Sequence, residues 1–191
     1  MAVPVIVTLV IDLTMGWTPA IDLSGAVFMV RRFETPPSQG SRHYRVAMDG
    51  NAWLNGVKLD GEDAPLAARW NTLAVVGTPP AKAALIVTPR VYIADCHLRW
   101  EGVVLVTELQ VRNTLDNTVN AYLSVAGTTL RATETVPPGM TQTAILRGTV
   151  ELAGERLVTL VLEKESEATE GVWRHEVVKS LPLSGAVSPV R

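Results

Sequence analysis

Apolar residues recur at every second position over long stretches of this chain, as in "VFMVRRFE" (27–34), "NTLAVVG" (71–77) and "LVTELQV" (105–111). Period-two alternation sends successive side chains to opposite faces of a strand, so each such stretch predicts a strand with one buried face. The abundant Val, Ile and Thr suit a pleated, half-buried surface. In the first half the pattern predicts strands over 3–13, 26–34, 43–48, 52–54 with 57–59, 71–77 and 83–88. In the second half it predicts strands over 91–98, 103–112, 120–125, 128–133, 142–150, 156–162 and 172–179. Capped stretches with helical spacing are nearly absent, and the one helix candidate, "DAPLAARW" (63–70), is about two turns at most, short of what an isolated helix needs. The fold class is therefore all-β.

The punctuation between these runs agrees. "TPPSQGS", "GTPPAK", "VPPGMT" and "LPLSG" combine Pro, which has no ladder donor, with Gly, which accepts positive φ, so they read as turns. Within "NAWLNGVKLDGED" (51–63), Asn55-Gly56 sits between short apolar arms, and Asn-Gly is the favoured centre of a two-residue type I′ hairpin turn. Seven short strands suit a small sandwich. Strand counting predicts two modules, 1–90 and 91–191, joined near 88–91, with one continuous sandwich as the alternative.

At 191 residues the chain is long enough for one large core or two smaller ones. Hydrophobic residues make up 47% and charged residues 19%, the reverse of a disordered composition. The formal charge is only -2, and the basic residues are scattered rather than clustered, which argues against a nucleic-acid partner. One cysteine, Cys96, cannot form an internal disulfide, and its place in "VYIADCHL" predicts a buried, inert thiol. The opening "MAVPVIVTLVIDLTMGW" lacks a basic n-region and carries Pro4 and Asp12, so no cleavable signal peptide is expected and the protein is expected to be soluble as made. No apolar run reaches the roughly 20 residues of a membrane helix, so no membrane insertion is expected.

Catalytic and metal motifs fare poorly. Asp60, Glu62 and Asp63 in "LDGEDAP" lack the ordered spacing of a calcium loop and read as a solvated acidic turn. His43, His97 and His175 are too far apart in sequence to suggest a metal site. Walker, dinucleotide and G-x-S-x-G signatures are missing, and no two carboxylates are coupled by the pattern. No catalytic residue, metal or cofactor is assigned. Five tryptophans against two phenylalanines is a distinctive choice, because an indole serves equally in a core, at an interface or against a sugar face. Trp53 and Trp70 adjoin turns rich in Asn and Asp. With Asn55 and Asp60 they form the candidate contact site for a glycan or a partner.

Two resemblances rest on particular residues. "VRRFETPP", "NAWLNGVKLDG" and "RWNTLAVVG" resemble the jelly-roll sugar-binding domain that precedes the catalytic barrel in family 2 glycoside hydrolases, over roughly residues 26–88. "LVTELQVRNTLDNTVNAYLSVAG" and "ETVPPGMTQTAILRGTVEL" are similar to immunoglobulin-like, cell-adhesion-type modules of bacterial surface and phage structural proteins. There an Asn ends one strand and a Pro-Gly turn precedes the next. The likenesses imply a jelly-roll-like sandwich followed by an immunoglobulin-like one, without the hydrolase barrel.

Two functions follow as expectations. The first is a non-enzymatic subunit of a larger, extracellular or virion-type assembly, such as a capsid decoration or tail component, joined to protein partners or copies of itself. In it the apolar first strand and the tail "SLPLSGAVSPVR" would act as arms that complete a neighbour's sheet. The alternative is a carbohydrate-binding module using the Trp53 and Trp70 turn region.

Overall fold

The computed structural model of the chain describes residues 5–6, 8–36, 42–59, 64–150, 157–165 and 172–181. Every helix-length element among them is a strand, and none is a helix able to cross a membrane. The protein is all-β and builds two sandwich modules. One compact unit is Thr8–Thr88, and the other is Pro89–Arg191 together with Met1–Val7.

That division splits the first strand expected from sequence. β1 (Val5–Ile6) pairs in parallel with a late strand of the second unit, Val5 opposite Arg174. β2 (Leu9–Asp12) instead pairs antiparallel with the strand Ala83–Pro89, Leu9 opposite Val87. The continuous apolar run over 3–13 thus serves two different sheets, and hydropathy alone contains no signal for the change.

The first unit continues with β3 (Thr18–Ile21), β4 (Val27–Glu34), β5 (Arg42–Met48), β6 (Ala52–Leu54), β7 (Val57–Lys58), β8 (Trp70–Val76) and β9 (Ala83–Pro89). Five of these form a sheet in the order β3-β4-β8-β6-β7, and the other three form a sheet in the order β2-β9-β5. Their inner faces meet in a core of Leu13, Phe33, Leu54, Leu73, Leu85 and Val87. The alternation in β8 shows the logic: Asn71, Leu73 and Val75 are buried while Trp70 and Val76 face out. Each fully buried leucine contributes about 2 kcal/mol of transfer free energy.

β3 was not anticipated, because Pro19 interrupts its short apolar run. Proline is tolerated there because β3 is the edge of its sheet, where a missing N–H costs no interior ladder bond. The β3–β4 turn is fixed by Asp22, whose Oδ1 accepts from the Ser24 amide, the Ser24 hydroxyl and the Ala26 amide. The stretch "DAPLAARW", too short for an isolated helix, is not helical over residues 64–70. There the Ala64 amide donates to the Tyr44 carbonyl and the Ala67 amide to Asn71 Oδ1, so the segment is bonded to the strands beside it.

The second unit is built from β10 (Val91–Glu101), β11 (Val104–Asn113), β12 (Val119–Val125), β13 (Arg131–Val136), β14 (Thr141–Thr149), β15 (Leu157–Glu165) and β16 (Val172–Ser180). A sheet in the order β10-β11-β14 faces one in the order β1-β16-β15-β12-β13. Between them lie Val91, Ile93, Leu105, Leu109, Val111, Leu123, Val125 and Leu146. Cys96 joins this core as a free thiol, and burial pushes it above the usual thiol range. β13 starts at Arg131 rather than Thr128 because the Thr128 hydroxyl donates to the Val125 carbonyl and accepts from the Leu130 amide, closing the turn instead.

Asn113 explains the strand-ending Asn noted in the sequence. Fully buried, its Nδ2 donates to the carbonyls of Asn117, Val136 and Pro137, and its Oδ1 accepts from the Leu115 amide. One side chain ties the polar loop after β11 to the Pro-Pro-Gly turn before β14. Such a fully satisfied buried amide specifies loop geometry as well as stabilising it.

His175 acts between the two sheets. It is fully buried, and its Nδ1 accepts the Ile93 amide at 3.1 Å, beside the bulge between Ile93 and Asp95. Burial pushes its pKa down to about 4. The folded state therefore resists protonation that the unfolded chain accepts near the ordinary value of about 6.5. The associated stability is complete above that value and falls as pH drops from about 6.5 toward 4, by about 3 kcal/mol in all. Hydrogen exchange of the β10–β11 amides at pH 7 and pH 4.5 should show this loss. In His175→Asn, which offers a non-titrating acceptor to the same amide, the slope should flatten.

Candidate functional site

The hairpin within "NAWLNGVKLDGED" positions the candidate site. Asn55 and Gly56 both have positive φ, 52° and 84°, and join β6 to β7 with Leu54 opposite Val57, the geometry of a two-residue type I′ turn. This turn places Trp53 in the middle of β6, opposite Lys58 on one side and Ala74 on the other. Ala74 and Trp70 have the same parity along β8, so Trp53 and Trp70 project from the same outer face of the five-stranded sheet. Four residues of strand separate their levels, about 13 Å.

Neighbouring strands fill the rest of this face. Phe28, Val30 and Arg32 of β4 stand opposite Val76, Ala74 and Thr72 of β8. Because Ala74 is small, Phe28 and Trp53 meet across β8 in a T-shaped contact, with centroids 6.4 Å apart and planes at 89°. At the other end Trp70 is 50% exposed, with the Arg32 guanidinium carbon 5.9 Å from its ring centroid. Glu34, opposite Trp70, meets Arg69 at 3.7 Å. The pair is exposed and contributes little to stability. The face thus runs from an aromatic and aliphatic patch (Phe28, Val30, Trp53, Val76) to a mixed one (Thr72, Arg32, Trp70).

Asn55 is placed differently from the two tryptophans. Its Nδ2 donates to Asn71 Oδ1 at 2.9 Å and to the Pro65 carbonyl, and its Oδ1 accepts the Thr72 amide at 2.9 Å. Asn71, only 1% exposed, donates in turn to the Thr35 hydroxyl and accepts the Ala67 amide. The Thr35 hydroxyl donates to the Ala67 carbonyl. The side-chain amide of Asn55 is therefore engaged in holding the hairpin and the 64–69 segment against β8, beneath the tryptophan face. Asp60, with Glu62 and Asp63, lies outside the described residues, as does the tail 182–191.

Arg32 and Thr72 were not singled out from sequence. Their signal was available in the register: Arg32 alternates in phase with Phe28 and Val30, which assigns it to the same face. Among the described residues no three His, Cys, Asp or Glu side chains gather as a metal site. His97 faces Asp95 at 3.1 Å on an exposed surface of the second unit.

No protein-family model matches the sequence, and no curated protein matches it. Its fold is similar to that of solved structures of carbohydrate-active enzymes. The exo-chitosanase CsxA of Amycolatopsis orientalis matches with TM-score 0.59 and 15% identity, over 82% of this chain and 26% of that one. A putative β-galactosidase from Bacteroides fragilis matches with TM-score 0.59 and 13% identity, over 90% and 40%. A calcium-binding mutant of Bacteroides uniformis β-glucuronidase 2 matches with TM-score 0.58 and 11% identity, over 91% and 33%. The chain therefore spans well under half the length of these proteins, and the likeness is one of fold. It agrees with the glycoside-hydrolase resemblance of the first half; the phage side of the second resemblance has no counterpart among these three.

The buried amide network yields a stability prediction. Asn71→Ala leaves the Ala67 amide and Thr35 hydroxyl without their partner and should destabilise the first unit by about 2–3 kcal/mol. Asn55→Gly, which keeps the turn's φ, should cost less than Asn55→Ala, which strains it as well. Urea unfolding followed by tryptophan fluorescence measures both differences.

Proposed function

We propose that the chain is a non-catalytic recognition module that binds a saccharide chain along the outer face of its five-stranded sheet. The observation that carries this reading is the shared face of Trp53 and Trp70, with Arg32 and Thr72 between their levels. An indole offers a flat apolar surface to the C–H face of a sugar ring, and the intervening guanidinium and hydroxyl offer hydrogen bonds to its hydroxyls. The separation of about 13 Å suits an extended oligosaccharide rather than a single ring. A rigid sheet suits such a site because the rings are held in place before the ligand arrives.

The structures of similar fold support the saccharide class, since they are those of a chitosanase, a putative β-galactosidase and a β-glucuronidase. In this reading the module needs no reacting groups of its own.

A second reading, docking to a protein partner or another copy, is favoured by the aliphatic end of the same face, where Val76 is 62% exposed beside Phe28 and Val30. That reading retains the assembly expected from sequence without placing it in a virion.

Affinity electrophoresis in gels containing chitosan, a β-galactan, a neutral β-glucan or a glucuronan tests the proposal. Retardation by at least one polysaccharide is expected, weakened about tenfold by Trp70→Ala and by Trp53→Ala, the size of a lost stacking contact. Migration unaffected by every polysaccharide, or retardation indifferent to both substitutions, would remove the saccharide reading. Concentration-dependent association in sedimentation that Val76→Lys abolishes would favour docking instead.

A further inference from the structure

The three-stranded sheet of the first unit has an outer face too, and its chemistry is different. In β5 the side chains of Tyr44, Val46 and Met48 pack into the core, so Arg45 and Ala47 project outward. In β9 the core takes Ala83, Leu85 and Val87, which turns Ala84 outward, opposite Asp12 of β2. An open groove of about 670 Å³ lies here, within the range of small-molecule sites. Ala47 and Ala84 line it, and so do Thr14, Arg45, Asp49 and Lys82.

The composition of this groove is selective. Two alanines leave it shallow and smooth where any larger outward residue would fill it. Its charged groups are two cations and one acid, and among the described residues neither Arg45 nor Lys82 is held in an ion pair. Asp12 lies on the adjoining strand, but its Oδ1 accepts both the amide and the hydroxyl of Thr14, and these bonds, with help from Arg31, hold it below the usual carboxylate range. Asp12 therefore stays ionised with its Oδ1 engaged by Thr14, and Thr14 is fixed at the rim.

We infer that this groove is a second saccharide site, distinct from the tryptophan face, that takes an acidic sugar residue. The carboxylate of a uronic acid engages the planar fork of Arg45 and the ammonium of Lys82, as bidentate and point-charge partners respectively. Its hydroxyls donate to the Asp49 carboxylate and to Thr14, and the ring lies over the methyl groups of Ala47 and Ala84. The inference shares with the preceding section the premise that this unit handles saccharides, but it uses none of the same residues.

The full chain, labelled with nitrogen-15, is titrated separately with trigalacturonate, with the neutral trisaccharide maltotriose and with sodium sulfate. Trigalacturonate is expected to shift the amides of Ala47 and Ala84. Its affinity should fall at least tenfold in Arg45→Gln and in Lys82→Gln, fall likewise when Ala84→Leu fills the floor, and stay unchanged in Trp70→Ala. Equal binding of maltotriose at these amides, or affinity indifferent to all three groove substitutions, overturns the inference. So does sulfate binding there as tightly as trigalacturonate, which would make the groove a plain anion site. Loss of trigalacturonate binding in Trp70→Ala alone would assign the acidic sugar to the tryptophan face, sinking the groove while leaving the proposed function standing. Trigalacturonate binding confined to the groove supports the groove and leaves the tryptophan face to be judged by retardation in the polysaccharide gels.

Discussion

The constraint on which this molecule depends is that a strand can bury only every second side chain against a single facing sheet. Leu73 and Leu85 in one unit, and Leu109 and Leu123 in the other, are fully or almost fully buried on inner faces. Their sequence neighbours are sent outward by the same geometry. A one-residue slip in β8 would bury Trp70, Thr72 and Ala74 and expose Leu73, so the core fixes the register of the outer face as firmly as its own. The aromatic face is therefore positioned by the leucines of the core.

Polar groups inside the sandwiches obey a second demand, that each must find a partner away from water. Among the described residues the buried polar side chains are amides, threonine hydroxyls and imidazoles rather than carboxylates or ammonium groups. Asn71 braces the hairpin that carries Trp53, Asn113 joins a loop to a turn, and His175 crosses from one sheet to the backbone of the other. Burying a neutral imidazole couples the second unit to acid through protonation of the unfolded chain. The first unit has its own acid-sensitive features in Asp12 and Asp22, whose carboxylates are held ionised by neighbouring hydroxyls and amides.

Much of this was legible because alternation is a local signal. The positions of β4, β5, β8, β11 and β14, the type I′ turn at Asn55-Gly56 and the burial of Cys96 all follow from residues within a few positions of each other. What escaped was set by partners distant in sequence. The run over 3–13 looks continuous, yet its two halves join different sheets. Pro19 argues against a strand until β3 is known to be an edge. The site divides in the same way. Trp53 and Trp70 were visible beside their turns, whereas Asn55 has its amide engaged in the fold, and Arg45 and Lys82 come together only because β5 and β9 are neighbours.

These observations bear on how a small sandwich can recognise ligands without an enclosed active site. A sheet face is nearly flat, so it holds a ligand through broad, shallow contacts, and rigid indoles are an economical way to make such contacts because few torsions are frozen on binding. The opposite arrangement, small residues ringed by charges, creates a depression without disturbing the core, since Ala47 and Ala84 alter only the outer surface. The first unit has both devices on the outer faces of its two sheets, each coded by alternate residues of strands whose other residues build one shared core. Under the proposed reading, substitutions on either outer face change recognition independently of each other and of stability, provided they leave Asn71 and the leucines in place.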